Sequence, residues 1–263
     1  MPELGLKRVS VVRGDRTVLQ DVSVQFSSGE LVAILGANGS GKSTLVRSAI
    51  GIQIINSGIA TINKVDSHKM SAHDRARAVA YLPQIRTLSW PLTVRDTVAL
   101  GRFAHGARLG KLGVEDEQAV HEALTACDLQ SFAMRRVDAL SGGELARVHC
   151  ARALASQAAL FVADEPTAEL DPWHQFRLME LIRGYVNEGG GAVVIMHDPE
   201  LAARYADRLL WMVDGRIVDD GPVMTTLSAT RLAQVYQMEA DVFWRHDQPQ
   251  VTWKGLADSP AQR

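Results

Sequence analysis

Apolar and polar positions alternate through RVSVVRGDRTVL and VSVQFSSGE, residues 8–30, with turn-forming Gly14-Asp15 and Ser28-Gly29 punctuating the pattern. A period of two predicts a half-buried antiparallel sheet. ELVAIL, AALFVA and GAVVIM are instead unbroken apolar runs; they predict strands covered on both faces, the usual condition of a parallel sheet. After residue 41 the period changes, and Leu45, Val46, Ala49 and Ile50 fall on one helical face that ends at Gly51, a suitable residue for the position after a helix. Helical spacing returns from TVRDTVALGRF through VEDEQAVHEALTACDLQSFA, where Val120, Ala123, Leu124 and Cys127 share a face. This predicts a mostly helical insertion over 87–155. Further on, LLWMV-DG-RIVDDG predicts a hairpin with a type I′ Asp-Gly turn. SATRLAQVYQMEADVFWRHDQPQVTW reads as a short helix followed by an extended piece covering the sheet edge, and the chain from about 255 to 263 as a frayed tail.

The class is therefore α/β: a mostly parallel sheet built from 1–86 and 156–263, an N-terminal antiparallel β-subdomain and a helical insertion subdomain, all within one domain of 263 residues. A net charge of −2 argues against a broadly basic nucleic-acid binder. The apolar runs fall short of the roughly 20 residues of a membrane span. The start, MPELGLKRVS, lacks the features of a signal peptide. Cys127 and Cys150 match no metal spacing, which predicts reduced thiols in a cytoplasmic setting.

Chemistry concentrates at strand ends. Gly36-Ala37-Asn38-Gly39-Ser40-Gly41-Lys42-Ser43 fits G-x-x-x-x-G-K-[ST] and follows an apolar strand. In a P-loop of this kind, backbone N–H groups surround phosphate oxygens and the following helix adds its positive end. Lys42 would reach the β- and γ-phosphates, Ser43 would ligand Mg²⁺ and Thr44 would donate to an outer phosphate oxygen. LFVADEP ends a strand in Asp164, suited to Mg²⁺ through water, and Glu165, suited to act as a general base or to orient water. Taken alone it is also a strand followed by an acidic turn. LSGGE holds a capping box in Ser141 and Glu144, and its Gly142 and Gly143 permit close backbone approach to an anion.

GANGSGKST, Gln84 in YLPQ, LSGGE, LFVADEP, AELD and His197 in VVIMHD, in that order over nearly the whole chain, resemble the nucleotide-binding subunits of ATP-binding cassette (ABC) transporters. The resemblance implies a P-loop NTPase core that binds ATP and Mg²⁺. Gln84 would touch Mg²⁺ or the attacking water beside the hinge of the helical insertion, and His197 would hydrogen-bond the γ-phosphate. Two copies would pair head to tail, with Ser141 and Gly143 of one capping the γ-phosphate held by Lys42 of the other and Asp171 at the seam. The further partners implied are membrane-embedded permease subunits and, indirectly, a substrate-binding protein, with this subunit peripheral on the cytoplasmic face of the inner membrane. Rival classes lack support: there are no long heptad arms, and each motif occurs once.

Three positions depart from the family pattern. Arg13 stands where an aromatic residue often stacks on adenine; a guanidinium plane can also stack, and a plain surface charge is the other reading. Leu145 replaces the usual glutamine, and Glu169 stands where a small residue is common. WPLTVRDTVALGRFAHG followed by RVDALSGGE resembles the ATPases of ferric-siderophore, haem and cobalamin importers through Leu100, Gly101, Arg102, Phe103 and His105, with His105 expected in a loop facing the permease. An importer of zinc or manganese, or an exporter, is the alternative.

Overall fold

The computed structural model describes residues 1–84, 92–246 and 248–257. The alternating N-terminal segment forms β1 (Glu3–Arg13) and β2 (Arg16–Ser27), joined at Gly14-Asp15. β3 (Leu31–Gly36) then runs into the P-loop and α1 (Lys42–Ala49), followed by β4 (Ser57–Ile62), β5 (Val65–Asp66), α2 (Ala72–Ala78) and β6 (Val79–Leu82). The helical stretch holds α3 (Val94–Ala99), a 3₁₀ turn at Leu100–His105, α4 (Val114–Ala126) and α5 (Gly142–Ala155). Next come β7 (Leu160–Asp164), α6 (Pro172–Asn187), β8 (Gly191–Ile195), α7 (Pro199–Tyr205), β9 (Arg208–Val213), β10 (Arg216–Pro222), α8 (Val223–Thr226), α9 (Ala229–Tyr236), β11 (Met238–Arg245) and β12 (Gln248–Leu256).

Among the described residues one sheet runs β10-β9-β3-β8-β7-β6, parallel except for the edge strand β10, and a second, antiparallel sheet runs β2-β1-β4-β5. The unbroken apolar runs have a simple cause. Alternate residues of one strand point to opposite faces, and here both faces are covered. Leu31, Ala33 and Leu35 join Phe161, Ala163 and Trp211 in the core beneath the helices, whereas Val32 and Ile34 join Val162, Val193 and Leu45 against α1 and the N-terminal sheet. Asp214 (φ 45°) and Gly215 (φ 75°) both lie in the left-handed region, as the expected type I′ turn requires.

Some expectations need correction. β6, which VAYL forms, and the pair β4 and β5 carried too short an apolar signal to be anticipated. The extended C-terminal piece is a hairpin: β11 pairs with β12, and a turn without glycine passes through His246 at φ 50°. Gly255 and Leu256, expected in the frayed tail, belong to β12 and pair with Glu239 and Met238; residues 258–263 of that tail lie outside the described residues. So do residues 87–91, the first of the expected insertion, and with them Trp90 and Pro91.

Candidate active site

β3 delivers the P-loop. A Cβ at Gly36 would fall 2.5 Å from Met212 O, and Gly41, at φ 102°, would place one 2.8 Å from Val18 O, so neither position admits another residue without displacing backbone. Lys42 is buried, and its Nζ donates to Gly36 O at 2.7 Å and Ala37 O at 3.0 Å. Burial pulls its pKa below the usual lysine value, against the opposing charges of Glu165 and Asp164. Ser40 Oγ is buried with no hydrogen-bond partner among the described residues, a donor suited to an incoming oxygen. Thr44 is buried on α1, whereas Ala37, Asn38 and Gly39 are exposed at the rim.

Beside this loop β7 ends in Asp164, fully buried. Ser43 Oγ donates to Asp164 Oδ1 at 2.8 Å, and Arg47 Nη2 donates to Oδ2 at 2.9 Å. Tyr81 of β6 completes the group: its hydroxyl accepts from Arg47 Nε at 3.1 Å and lies 3.4 Å from Asp164 Oδ2. Burial pushes the Tyr81 hydroxyl above its usual pKa. Neither Arg47 nor Tyr81 was anticipated. Arg47 follows Ser43 by four residues, hence on the same helical face, and that spacing was a usable signal.

Glu165, the next residue, has φ 52°. A left-handed glutamate is uncommon, and such strain persists where the surroundings fix it, often at functional sites. Gln84 Nε2, from the end of β6, donates to its Oε2 at 2.6 Å, and His197 Nε2, from the end of β8, lies 2.7 Å from its Oε1. The carboxyl ends of three neighbouring strands thus place Gln84, Glu165 and His197 together beside the P-loop, the position where ligands bind in open α/β sheets. Gln84, expected to touch Mg²⁺ or the attacking water, is hydrogen-bonded to Glu165.

A cleft of about 350 Å³ opens over Lys42, Ser43 and Thr44, with Arg13, Arg16 and Val18 along its wall. Arg13 is exposed and its guanidinium donates to Gln53 Oε1. Arg16 was missed. It is the cross-strand partner of Arg13, so a two-residue turn puts both on one face of the ribbon, and its guanidinium reaches to Gly39.

Ser141, Gly142 and Gly143 do not line this cleft. They open α5, where Glu144 N donates to Ser141 Oγ at 3.3 Å and Ser141 N to Glu144 Oε2 at 2.8 Å. The latter bond holds the Glu144 carboxyl below its usual pKa. Asp171 caps α6 by accepting from His174 N at 3.0 Å. Leu145 packs against the helix-side core, which accounts for an apolar residue there. Glu169 sits at φ 63°, in the left-handed region that favours glycine.

The LGRFAH stretch serves the other end of α5. Arg102 is buried, pairs with Asp116 at 2.9 Å, and donates from Nη1 to Ala155 O and Gln157 Oε1, both at 3.0 Å. His105 Nε2 lies 2.9 Å from Ser156 O. A Cβ at Gly101 would fall 2.1 Å from Arg152 O. His105 is therefore partly buried and caps the end of α5, satisfying a carbonyl the helix cannot pair itself. Phe103 is exposed and lines a groove of about 440 Å³ with Ile52, Arg75 and Arg152. Among the described residues no group of three or more His, Cys, Asp or Glu could hold a metal, and no helix is long and apolar enough to cross a membrane.

The family model described as ABC transporter matches residues 19–168. A hemin import ATP-binding protein of Rhodococcus jostii is 40% identical over 234 residues, 89% of this chain and 80% of that protein. An iron(3+)-hydroxamate import ATP-binding protein of Bacillus subtilis is 32% identical over 243 residues, 92% and 90% of the two chains. Among solved structures, a chain from an inward-facing metal-chelate type ABC transporter superposes with a TM-score of 0.83 at 22% identity, covering 98% of this chain and 99% of its own. A dimeric ATP-binding cassette in a post-hydrolysis state with ADP and Pi gives a TM-score of 0.73 at 27% identity over 84% of this chain and 98% of that one.

Proposed function

The chain belongs to the ABC transporter family as an ATP-binding, ATP-hydrolysing subunit, and from that premise we propose that two copies of it energise a permease importing an iron chelate, with haem the foremost cargo. The observation that carries the catalytic part is the convergence of Gln84 and His197 on the strained Glu165, next to the P-loop. The observation behind the cargo is the 40% identity to a hemin import protein over most of both chains; a ferric siderophore or cobalamin is the neighbouring choice.

In this reading the triphosphate enters the cleft, and Lys42 exchanges the carbonyls of Gly36 and Ala37 for the β- and γ-phosphate oxygens. The backbone N–H groups of the exposed rim, Ala37 to Gly39, and the Ser40 hydroxyl, unpartnered among the described residues, receive the same anion, Thr44 an outer oxygen. Ser43 and Asp164 are hard oxygen donors within hydrogen-bonding distance of each other, which suits Mg²⁺, an ion that takes few protein ligands beside substrate phosphates. When bound, Mg²⁺ neutralises charge on the β- and γ-oxygens. Gln84 remains within the same site as a further oxygen donor. Glu165 orients or deprotonates the attacking water, and His197 holds the γ-phosphate while its ring steadies Glu165.

The same site is incomplete in one chain. Ser141, Gly142 and Gly143 open a helix away from the cleft, so their contact with a γ-phosphate requires a second, head-to-tail copy, with Asp171 at the seam. Arg13 and Arg16 flank the base and sugar side. The exposed Phe103 and its groove receive the permease from the cytoplasmic face of the membrane, and a substrate-binding protein acts on the permease from the opposite side. Substituting Glu165→Gln in the reconstituted complex should leave nucleotide binding intact and lower turnover by about 10²-fold or more. Unchanged turnover overturns the catalytic reading. Transport assayed with haem, a ferric siderophore, cobalamin and zinc decides the cargo, and zinc uptake alone overturns the iron-chelate reading.

A further inference from the structure

Within one chain, His174 connects the Ser141–Glu144 loop with the Asp171 loop. Its backbone N–H donates to Asp171 Oδ1 at 3.0 Å, and its Nδ1 lies 2.8 Å from Asp171 Oδ2, so each carboxylate oxygen meets this residue. The Trp173 ring packs edge-on against the imidazole with centroids 4.8 Å apart. The other side of the imidazole lies on the backbone of Gly143: a Cβ built there would fall 2.2 Å from His174 Cδ2 and 2.4 Å from Nε2. Gly143 is buried, and its bare Cα is what admits the ring. α5 therefore begins against a wedge supplied by the first turn of α6.

We propose that His174 is a positioning residue whose ring, seated on the backbone of Gly143, holds the Ser141–Glu144 loop in fixed register with the Asp171 loop. The claim rests on the reading that Ser141 and Gly143 engage nucleotide. Gly143 offers its backbone N–H and Ser141 its hydroxyl, and such groups meet a phosphate only if the loop that carries them is held to a fraction of an ångström. A misplacement of 1 Å in such a constellation costs on the order of 10²-fold in rate. The capping box fixes the loop to its own helix. His174 is a contact that ties it to the Asp171 loop, so the two loops advance together when two copies close around ATP.

Two substitutions separate the ring from the hydrogen bond. His174→Asn keeps an amide within reach of Asp171 and withdraws the ring, whereas His174→Phe keeps a flat ring against Gly143 and gives up the Asp171 bond. In the full-length chain without nucleotide, amide exchange of Glu144 and Leu145 should speed up about fivefold or more in H174N and stay near wild type in H174F. With MgATP, kcat of H174N should fall about 10-fold or more while KM changes less than about twofold, because the P-loop cleft is untouched; H174F should keep most of kcat. Wild-type exchange and kcat in H174N overturn the proposal. So does an equal loss of kcat in both variants that follows their thermal stability, since that marks a contact of the fold alone. If the wild-type chain itself turns over no ATP, it is the catalytic reading that fails.

Discussion

Replacing Arg102 with methionine tests whether the LGRFAH stretch is a structural clasp. Arg102 is only 3% exposed and makes three contacts: the carboxylate of Asp116, the carbonyl of Ala155 and the side chain of Gln157. Removing one partner of a buried ion pair costs about 3–5 kcal/mol, because the other charge stays desolvated. Asp116 retains 15% side-chain exposure and can partly rehydrate, which puts the pair at the lower end, about 3 kcal/mol. The Ala155 carbonyl, at the last turn of α5, adds about 1 kcal/mol for its lost donor. The sum, about 4 kcal/mol, corresponds to a fall in Tm of about 8–16 °C for a chain of this size. Urea denaturation of the full chain, followed by circular dichroism, measures it. Adding Asp116→Leu removes the stranded charge, so the double variant should recover to within about 1–2 kcal/mol of wild type. Nucleotide affinity should not change in folded protein, since Arg102 does not line the P-loop cleft. A double variant as unstable as the single one, or a single variant within about 1 kcal/mol of wild type, refutes the argument.

Arg16→Ala should raise KM for ATP by about tenfold, the worth of one charge-assisted hydrogen bond, with Arg13→Ala milder because Gln53 already holds that guanidinium; equal effects in a steady-state assay would return the two arginines to surface charges. Burial lowers the Lys42 pKa in the folded chain, so between that lowered value and the ordinary 10.5 the unfolded chain holds a proton that the folded chain does not. Stability of the nucleotide-free chain should therefore rise with pH across this window, and Lys42→Met should flatten the rise, increase nucleotide-free stability at neutral pH and abolish the thermal shift given by ATP. Thermal scans from pH 7 to 10.5, with and without ATP, check all three.

The motifs were legible because their chemistry is local. A phosphate loop needs its glycines, lysine and hydroxyl in immediate succession after a strand, and Gly36 to Thr44 carry them in sequence order. Asp164 and Glu165 were visible for the same reason, as acidic residues ending an apolar run. Arg16 and Tyr81 were not, since their importance lies in what faces them. Arg16 gains meaning from the turn that pairs it with Arg13, and Tyr81 from a four-residue strand that the apolar pattern did not reveal. The bond from His105 to Ser156 was not legible either, because a histidine near a surface loop and a histidine capping a distant helix look identical along the chain.

Local rules, then, determined from sequence the α/β class, the strand-loop-helix of the phosphate cradle, the Asp214-Gly215 hairpin and the capping box at Ser141, because propensity, periodicity and turn chemistry act over a few residues. Tertiary structure alone decided that Gln84 and His197 meet on Glu165, that Arg102 and His105 close the far end of α5, and that His174 lies on Gly143. Those pairs are separated by 81, 32, 53, 51 and 31 positions respectively, and their distances follow from strand order in the sheet and from how helices pack, which no short-range pattern encodes.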